Sequence, residues 1–78
     1  MVTTLRFEAG ETLIKQGAPA HEMFIITSGT LEVTRDGEHI ADIGAGEFAG
    51  EMAVLARTQR NSTVTAKTDA EVLHIDGR

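Results

Sequence analysis

The sequence predicts an all-β domain, a sandwich or barrel, and three observations carry that prediction. Eight glycines, at positions 10, 17, 29, 37, 44, 46, 50 and 77, punctuate short runs rich in Val, Ile, Thr and Leu, the spacing of turn signals that such folds show. Apolar and polar residues alternate in Leu31-Glu32-Val33-Thr34 and in Thr63-Val64-Thr65-Ala66, giving each segment one face toward a core or a ligand. The 78 residues leave room for one domain. Its core is built mostly from aliphatic side chains, because the aromatics are three Phe with no Trp or Tyr. The absence of Cys excludes disulfide scaffolds, iron–sulfur clusters and Cys-based zinc sites. A core of this size rarely supplies more than about 3 to 5 kcal/mol, which points to an oligomer or a piece of a larger domain.

Taken in order, strands are expected at about 3–7, 12–16, 23–27, 30–35, 39–43, 62–67 and 71–75. Gly17-Ala18-Pro19-Ala20 is a polar turn holding the single proline. Asp36-Gly37 separates two of the strands, and this dipeptide favours the type I′ turn of a tight hairpin, in which both central residues take positive φ. Glu51-Met52-Ala53-Val54-Leu55-Ala56 breaks the pattern: it holds good helix formers without β-type alternation, so one or two helical turns are expected after Gly50.

The charge balance excludes one class of function. Seven Lys and Arg against twelve Asp and Glu give a net charge of −5, which repels polyanions, so direct nucleic acid binding is not expected. No apolar stretch approaches the length of a membrane span and the N-terminal residues carry no signal pattern, so the expected location is cytoplasmic.

The chemistry lies in Gly44-Ala45-Gly46-Glu47-Phe48-Ala49-Gly50-Glu51-Met52-Ala53-Val54-Leu55 and the following Arg60-Asn61-Ser62-Thr63-Val64. Glycines allow a close backbone approach, and a helix beginning at Gly50 offers unpaired N–H groups to a phosphate. Arg60, nine residues beyond Glu51, is close enough to place its planar guanidinium on the same anion. A carboxylate beside a phosphate makes sense if Glu51 accepts a hydrogen bond from a hydroxyl of the same ligand, or if Arg60 holds it in check.

Phe48-Ala49-Gly50-Glu51-Met52-Ala53-Val54-Leu55 with Arg60-Asn61-Ser62-Thr63-Val64-Thr65-Ala66 closely resembles the phosphate-binding cassette of the cyclic nucleotide-binding domain family, which includes catabolite activator proteins, regulatory subunits of cAMP-dependent kinases and cyclic nucleotide-gated channels. The resemblance extends to Phe7-Glu8-Ala9-Gly10-Glu11-Thr12-Leu13-Ile14-Lys15-Gln16-Gly17 and to Met23-Phe24-Ile25-Ile26-Thr27-Ser28-Gly29-Thr30-Leu31-Glu32-Val33, so it covers nearly the whole chain. It implies a β-roll of the jelly-roll type (a double-stranded β-helix) with one short helix in the cassette, and a sensor of cAMP or cGMP. Carried over by position, Glu51 takes the ribose 2′-OH and Arg60 the exocyclic phosphate oxygens. The backbone around Gly50, Glu51, Met52 and Ala53 cradles the phosphate, Asn61 and Ser62 add contacts, and Val33, Ile40 and Ala49 form an apolar wall. No bond is made or broken, so neither catalytic residue nor metal nor cofactor is expected. The sequence departs from the family pattern at Gln59, often Pro there, and at Asn61, where the side chain biases cAMP against cGMP. Family members also carry helices before the first strand and after the last, and this chain ends at Arg78 where the latter would start.

Other readings of the same residues are weaker. Gly44, Gly46 and Gly50 miss the spacing of a dinucleotide fingerprint, and no Lys follows a glycine loop as in a Walker motif. His21, His39 and His74 stand 18 and 35 residues apart, unlike the clustered ligands of a metal-binding jelly roll. No Gly-x-Ser-x-Gly elbow is present. The alternative function is a β-roll without nucleotide, in which Glu51 and Arg60 pair with each other and the module serves as a dimerising or docking surface. A homo-oligomer or an effector domain in a longer protein is the expected setting.

Overall fold

In the computed structural model, residues 2–18, 22–50 and 61–76 are described. They form eight strands: β1 (Val2–Phe7), β2 (Thr12–Ile14), β3 (Glu22–Ser28), β4 (Thr30–Arg35), β5 (Glu38–Gly44), β6 (Phe48–Ala49), β7 (Thr63–Ala66) and β8 (Ala70–Asp76). Two four-stranded sheets result, ordered β1-β8-β3-β6 and β2-β7-β4-β5, with every pairing antiparallel. The all-β expectation holds. Seven strands were read from the sequence, and β6 is an addition: two residues, Phe48 and Ala49, paired with Ile25 and Phe24 at the edge of β3. The helix expected over 51–56 lies outside the described residues.

Alternation decides which face each strand buries. Ile14, Phe24, Ile26, Leu31, Ala49, Val64, Ala66, Ala70 and Val72 make one core between the sheets, with Leu5, Phe7, Leu13, Val33 and Ile43 packed against it. Leu31 and Val33 thus share the inward face of β4, as do Val64 and Ala66 on β7. The opposite face of the first sheet is also largely apolar. Val2, Ile75 and Met23 form one cross-strand row, and Leu73, Ile25 and Phe48 another, with Val2 59% and Phe48 51% exposed.

The Asp36-Gly37 turn is as expected: φ is 53° at Asp36 and 82° at Gly37, between the paired residues Arg35 and Glu38. One residue in this hairpin has no partner, because Thr34 pairs with His39 and Val33 with Ala41. Ile40 is therefore the extra residue of a β-bulge.

The corner between β3 and β4 leaves no choice of residue. Gly29 has φ 87°, and a Cβ there would lie 2.4 Å from the Asp69 carbonyl oxygen and 2.7 Å from the Ala70 Cα. Both obstacles are backbone, so relief requires moving the β7–β8 connection. Gly29→Ala is expected to destabilise the fold by about 1 to 3 kcal/mol for the left-handed backbone and about 1 to 3 kcal/mol more for the overlap. A fall in the denaturant midpoint on this scale, read against Gly37→Ala, where no atom lies within 4 Å of the added Cβ, is the check.

Candidate functional site

The approach to the site begins in a tight turn. The Glu47 N–H donates to the Gly44 carbonyl at 3.0 Å, the Glu47 carboxylate accepts the Gly44 N–H at 2.9 Å, and Gly46 at the third position has φ 89°. Two further bonds dock this turn on β3: Gly46 N–H to the Ile26 carbonyl at 2.8 Å and Ile26 N–H to the Glu47 carbonyl at 3.0 Å. The same device opens the molecule. In Glu8-Ala9-Gly10-Glu11 the Glu11 N–H donates to the Glu8 carbonyl, the Glu11 carboxylate accepts the Glu8 N–H at 2.7 Å, and Gly10 has φ 95°. The tripeptide Ala-Gly-Glu stands at both turns and again at 49–51, a repeat that sequence reasoning passed over and that locates the two carboxylate-capped turns.

From the turn the chain runs through β6 into the cassette. Ala49 is buried at 4% exposure and Gly50 follows with φ 86°, a conformation that glycine adopts without steric cost. Glu51, Met52, Ala53 and Arg60 lie outside the described residues. The chain is described again at Asn61, whose side-chain oxygen accepts a hydrogen bond from the Ser62 hydroxyl at 3.0 Å and whose backbone carbonyl accepts the Arg35 Nε–H at 3.1 Å. Val33 is half-buried on the inward face of β4. Ile40, at the bulge, is 52% exposed. Of the expected apolar wall, then, Val33 and Ala49 pack on or within the core, and Ile40 stands at the solvent-facing hairpin.

Sequence reasoning missed the polar ties around this exit. The Gln16 side-chain amide donates to Asp36 Oδ1 at 2.9 Å and accepts the Asp36 N–H at 3.0 Å, while the Gln16 N–H donates to Thr63 Oγ1 at 3.0 Å. No local pattern signals contacts between residues 20 and 47 apart in the chain.

Two other groups of charges stand outside the cassette. Glu32, His39 and Asp42 bring their ligating atoms within 4.8 Å of one another, and such oxygen and imidazole donors suit a divalent metal. They are, however, knit into a surface charge network: His39 Nδ1 is 2.8 Å from Glu32 Oε2 and Lys67 Nζ is 2.9 Å from Asp42 Oδ2. Hydrogen bonding and attraction from Asp42 raise the Lys67 pKa above its ordinary value, with Glu32 adding to the shift. A cleft lined by Arg6, Phe7, Glu8, Glu11 and Asp69 carries three carboxylates against one guanidinium, an unfavourable field for a phosphate.

The model of the family described as "Cyclic nucleotide-binding domain" matches residues 4–78. The chain belongs to that family. It is 33% identical over 72 residues to a cGMP-dependent protein kinase of Caenorhabditis elegans, covering 92% of this chain and 9% of the kinase. It is 40% identical over 74 residues to Glutaminase 2 of Bradyrhizobium diazoefficiens, covering 94% of this chain and 12% of that protein. The chain thus spans a small fraction of these curated relatives. Among solved structures, one described as "cAMP bound PfPKA-R (141-441)" superposes with a TM-score of 0.93 at 26% identity, over 97% of this chain and 27% of the other. A protein kinase A regulatory subunit of Trypanosoma cruzi, described as cAMP-independent and bound to guanosine, gives 0.91 at 25% identity, over 97% and 29%. Among the described residues, no helix is long and apolar enough to cross a membrane.

The Gly44–Glu47 turn carries a simple prediction. Glu47→Ala leaves the Gly44 N–H without its charged acceptor and is expected to cost about 0.5 to 1.5 kcal/mol. Glu47→Gln retains an oxygen acceptor and is expected to fall between, as thermal melts of the three proteins will report.

Proposed function

We propose that this domain binds cAMP or cGMP and acts as the non-catalytic sensor of a larger protein. The observation that carries this reading is the Gly50-Glu51 to Arg60-Asn61-Ser62 pattern within a chain that belongs to the cyclic nucleotide-binding domain family over nearly its whole length. In this reading Arg60 and the N–H groups around Gly50 to Ala53 hold the cyclic phosphate, an anion that the net charge of −5 would otherwise repel. Glu51 accepts the ribose 2′-OH. Asn61 and Ser62 add polar contacts from the entry of β7, and Val33, Ile40 and Ala49 supply the apolar side of the pocket. The nucleotide leaves as it arrived, so what the site transmits is occupancy. The cAMP-bound and cGMP-kinase relatives support the ligand class and leave both bases in play.

Calorimetric titration with cAMP and cGMP tests the reading, since intrinsic Trp and Tyr fluorescence is absent from this sequence. Saturable binding is expected. Arg60→Ala, which strands a desolvated phosphate, is expected to weaken it by about 2 to 5 kcal/mol, roughly 30- to 4000-fold. Glu51→Ala is expected to weaken cAMP or cGMP and to spare the 2′-deoxy analogue, and equal losses for both ligands would remove the 2′-OH role. Guanosine, which has the base and ribose without phosphate, separates a nucleoside site from a cyclic nucleotide site.

A second reading rests on the two apolar rows, Val2-Ile75-Met23 and Leu73-Ile25-Phe48, on the outer face of the first sheet. An exposed face of this kind suits a docking or dimerising module. A folded protein that gives no heat with either nucleotide but sediments as a dimer, with Phe48→Ser returning it to monomer, would favour this reading.

A further inference from the structure

The backbone ladder between β4 and β7 ends at Thr34 and Thr63. Asn61 and Ser62 lie beyond it in a bend. There a side chain takes over the pairing: the Arg35 Nε–H donates to the Asn61 carbonyl at 3.1 Å, a charged donor and therefore stronger than the neutral amides of the ladder. By strand alternation Arg35 shares the face of Leu31 and Val33, the face that carries the core and the expected ligand wall.

The element bearing Arg35 is tied to its neighbours by several hydrogen bonds. Its two-residue turn is closed by the Arg35–Glu38 pair, and Gln16 grips Asp36 through both ends of its amide. The Gln16 N–H also donates to Thr63 Oγ1. Gln16, Arg35 and Asp36 thus brace three segments against one another: the turn after β2, the tip of the β4–β5 hairpin and the entry to β7. Among the described residues no carboxylate forms an ion pair with Arg35, and the Asn61 carbonyl is the hydrogen-bond acceptor of its Nε–H.

Asn61 directly follows Arg60 in sequence. We propose that Arg35 is a positioning residue of the nucleotide site: by holding the Asn61 carbonyl it fixes the peptide that presents the Asn61 and Ser62 side chains, two of the polar contacts of the nucleotide reading. This inference rests on the nucleotide reading above. It assigns to the hairpin tip a role in affinity without contact to the ligand. A loosened Asn61 peptide leaves the Asn61 and Ser62 side chains without a fixed direction toward the nucleotide, and losses of this kind show chiefly in dissociation.

The test compares Arg35→Met, which keeps the aliphatic stem, with Arg35→Lys, which keeps a charged donor. Arg6→Met is the control, since it removes the same charge from the exposed outer face of the other sheet. Calorimetry with cAMP and cGMP, thermal melts and amide hydrogen exchange at Ser62 and Thr63 are read together. Arg35→Met is expected to weaken nucleotide binding by about 5- to 30-fold and to speed exchange at Ser62. Arg35→Lys is expected to recover most of both, and Arg6→Met to bind within about twofold of the wild type.

Undiminished binding by Arg35→Met, or a loss no larger than that of Arg6→Met, overturns the inference and leaves the nucleotide reading standing. Affinity that follows the melting temperature across Arg35→Met and Arg35→Lys, with exchange at Ser62 unchanged, assigns Arg35 to fold support alone and also overturns it. No nucleotide binding by the wild-type protein overturns the nucleotide reading, and this inference with it.

Discussion

Two chain crossings press against each other where Gly29 meets Asp69 and Ala70, and the two-sheet arrangement depends on that contact. At Gly29 the chain leaves the first sheet for the second, and at 67–69 it returns. Thr30 binds the two crossings through backbone and side chain: its carbonyl accepts the Lys67 N–H at 2.9 Å, and its N–H donates to the Thr68 hydroxyl at 3.1 Å. The contact is close because nothing projects from the glycine. Leu31 and Val72, both at 0% exposure, are the second residue of β4 and the third of β8, so the corner sets where the deepest core residues begin.

From that corner the rest of the site follows by strand geometry. β4 runs from it with Leu31 and Val33 inward and ends at the hairpin tip, where Gln16 and Arg35 tie the turn to the entry of β7. β3 runs to the same corner, and its Ile26 holds the Gly44–Glu47 turn by two backbone bonds. That turn hands the chain to Ala49 and Gly50. Both flanks of the cassette are therefore anchored to strands that meet at one glycine, while the charged residues of the cassette lie between the anchors in sequence.

Much of this was legible in the sequence because it is local. Asp36-Gly37 specifies its own turn, and the alternation in Leu31-Glu32-Val33-Thr34 and Thr63-Val64-Thr65-Ala66 names the buried faces. The cassette was legible by another route, through its likeness to a family, and the roles proposed for its Gly50, Glu51 and Arg60 rest chiefly on that likeness. What escaped is non-local or brief. β6 is two residues long and exists only through its partner β3. The bulge at Ile40 is a matter of register between strands, invisible in either alone. Arg35 and Gln16 look like ordinary surface residues until tertiary structure brings them to Asn61 and Asp36.

The bulge also separates the length of the β4–β5 hairpin from its pairing. His39 and Asp42 are three apart in sequence and would face opposite ways in a regular strand, yet both meet Glu32, because Ile40 is skipped by the ladder. Removing that one residue would leave Thr34 opposite His39 and Val33 opposite Ala41, with no pair lost and no core side chain turned. The ladder is thus indifferent to Ile40, and an apolar side chain that the pairing does not use is free to answer to whatever lies against that end of the hairpin.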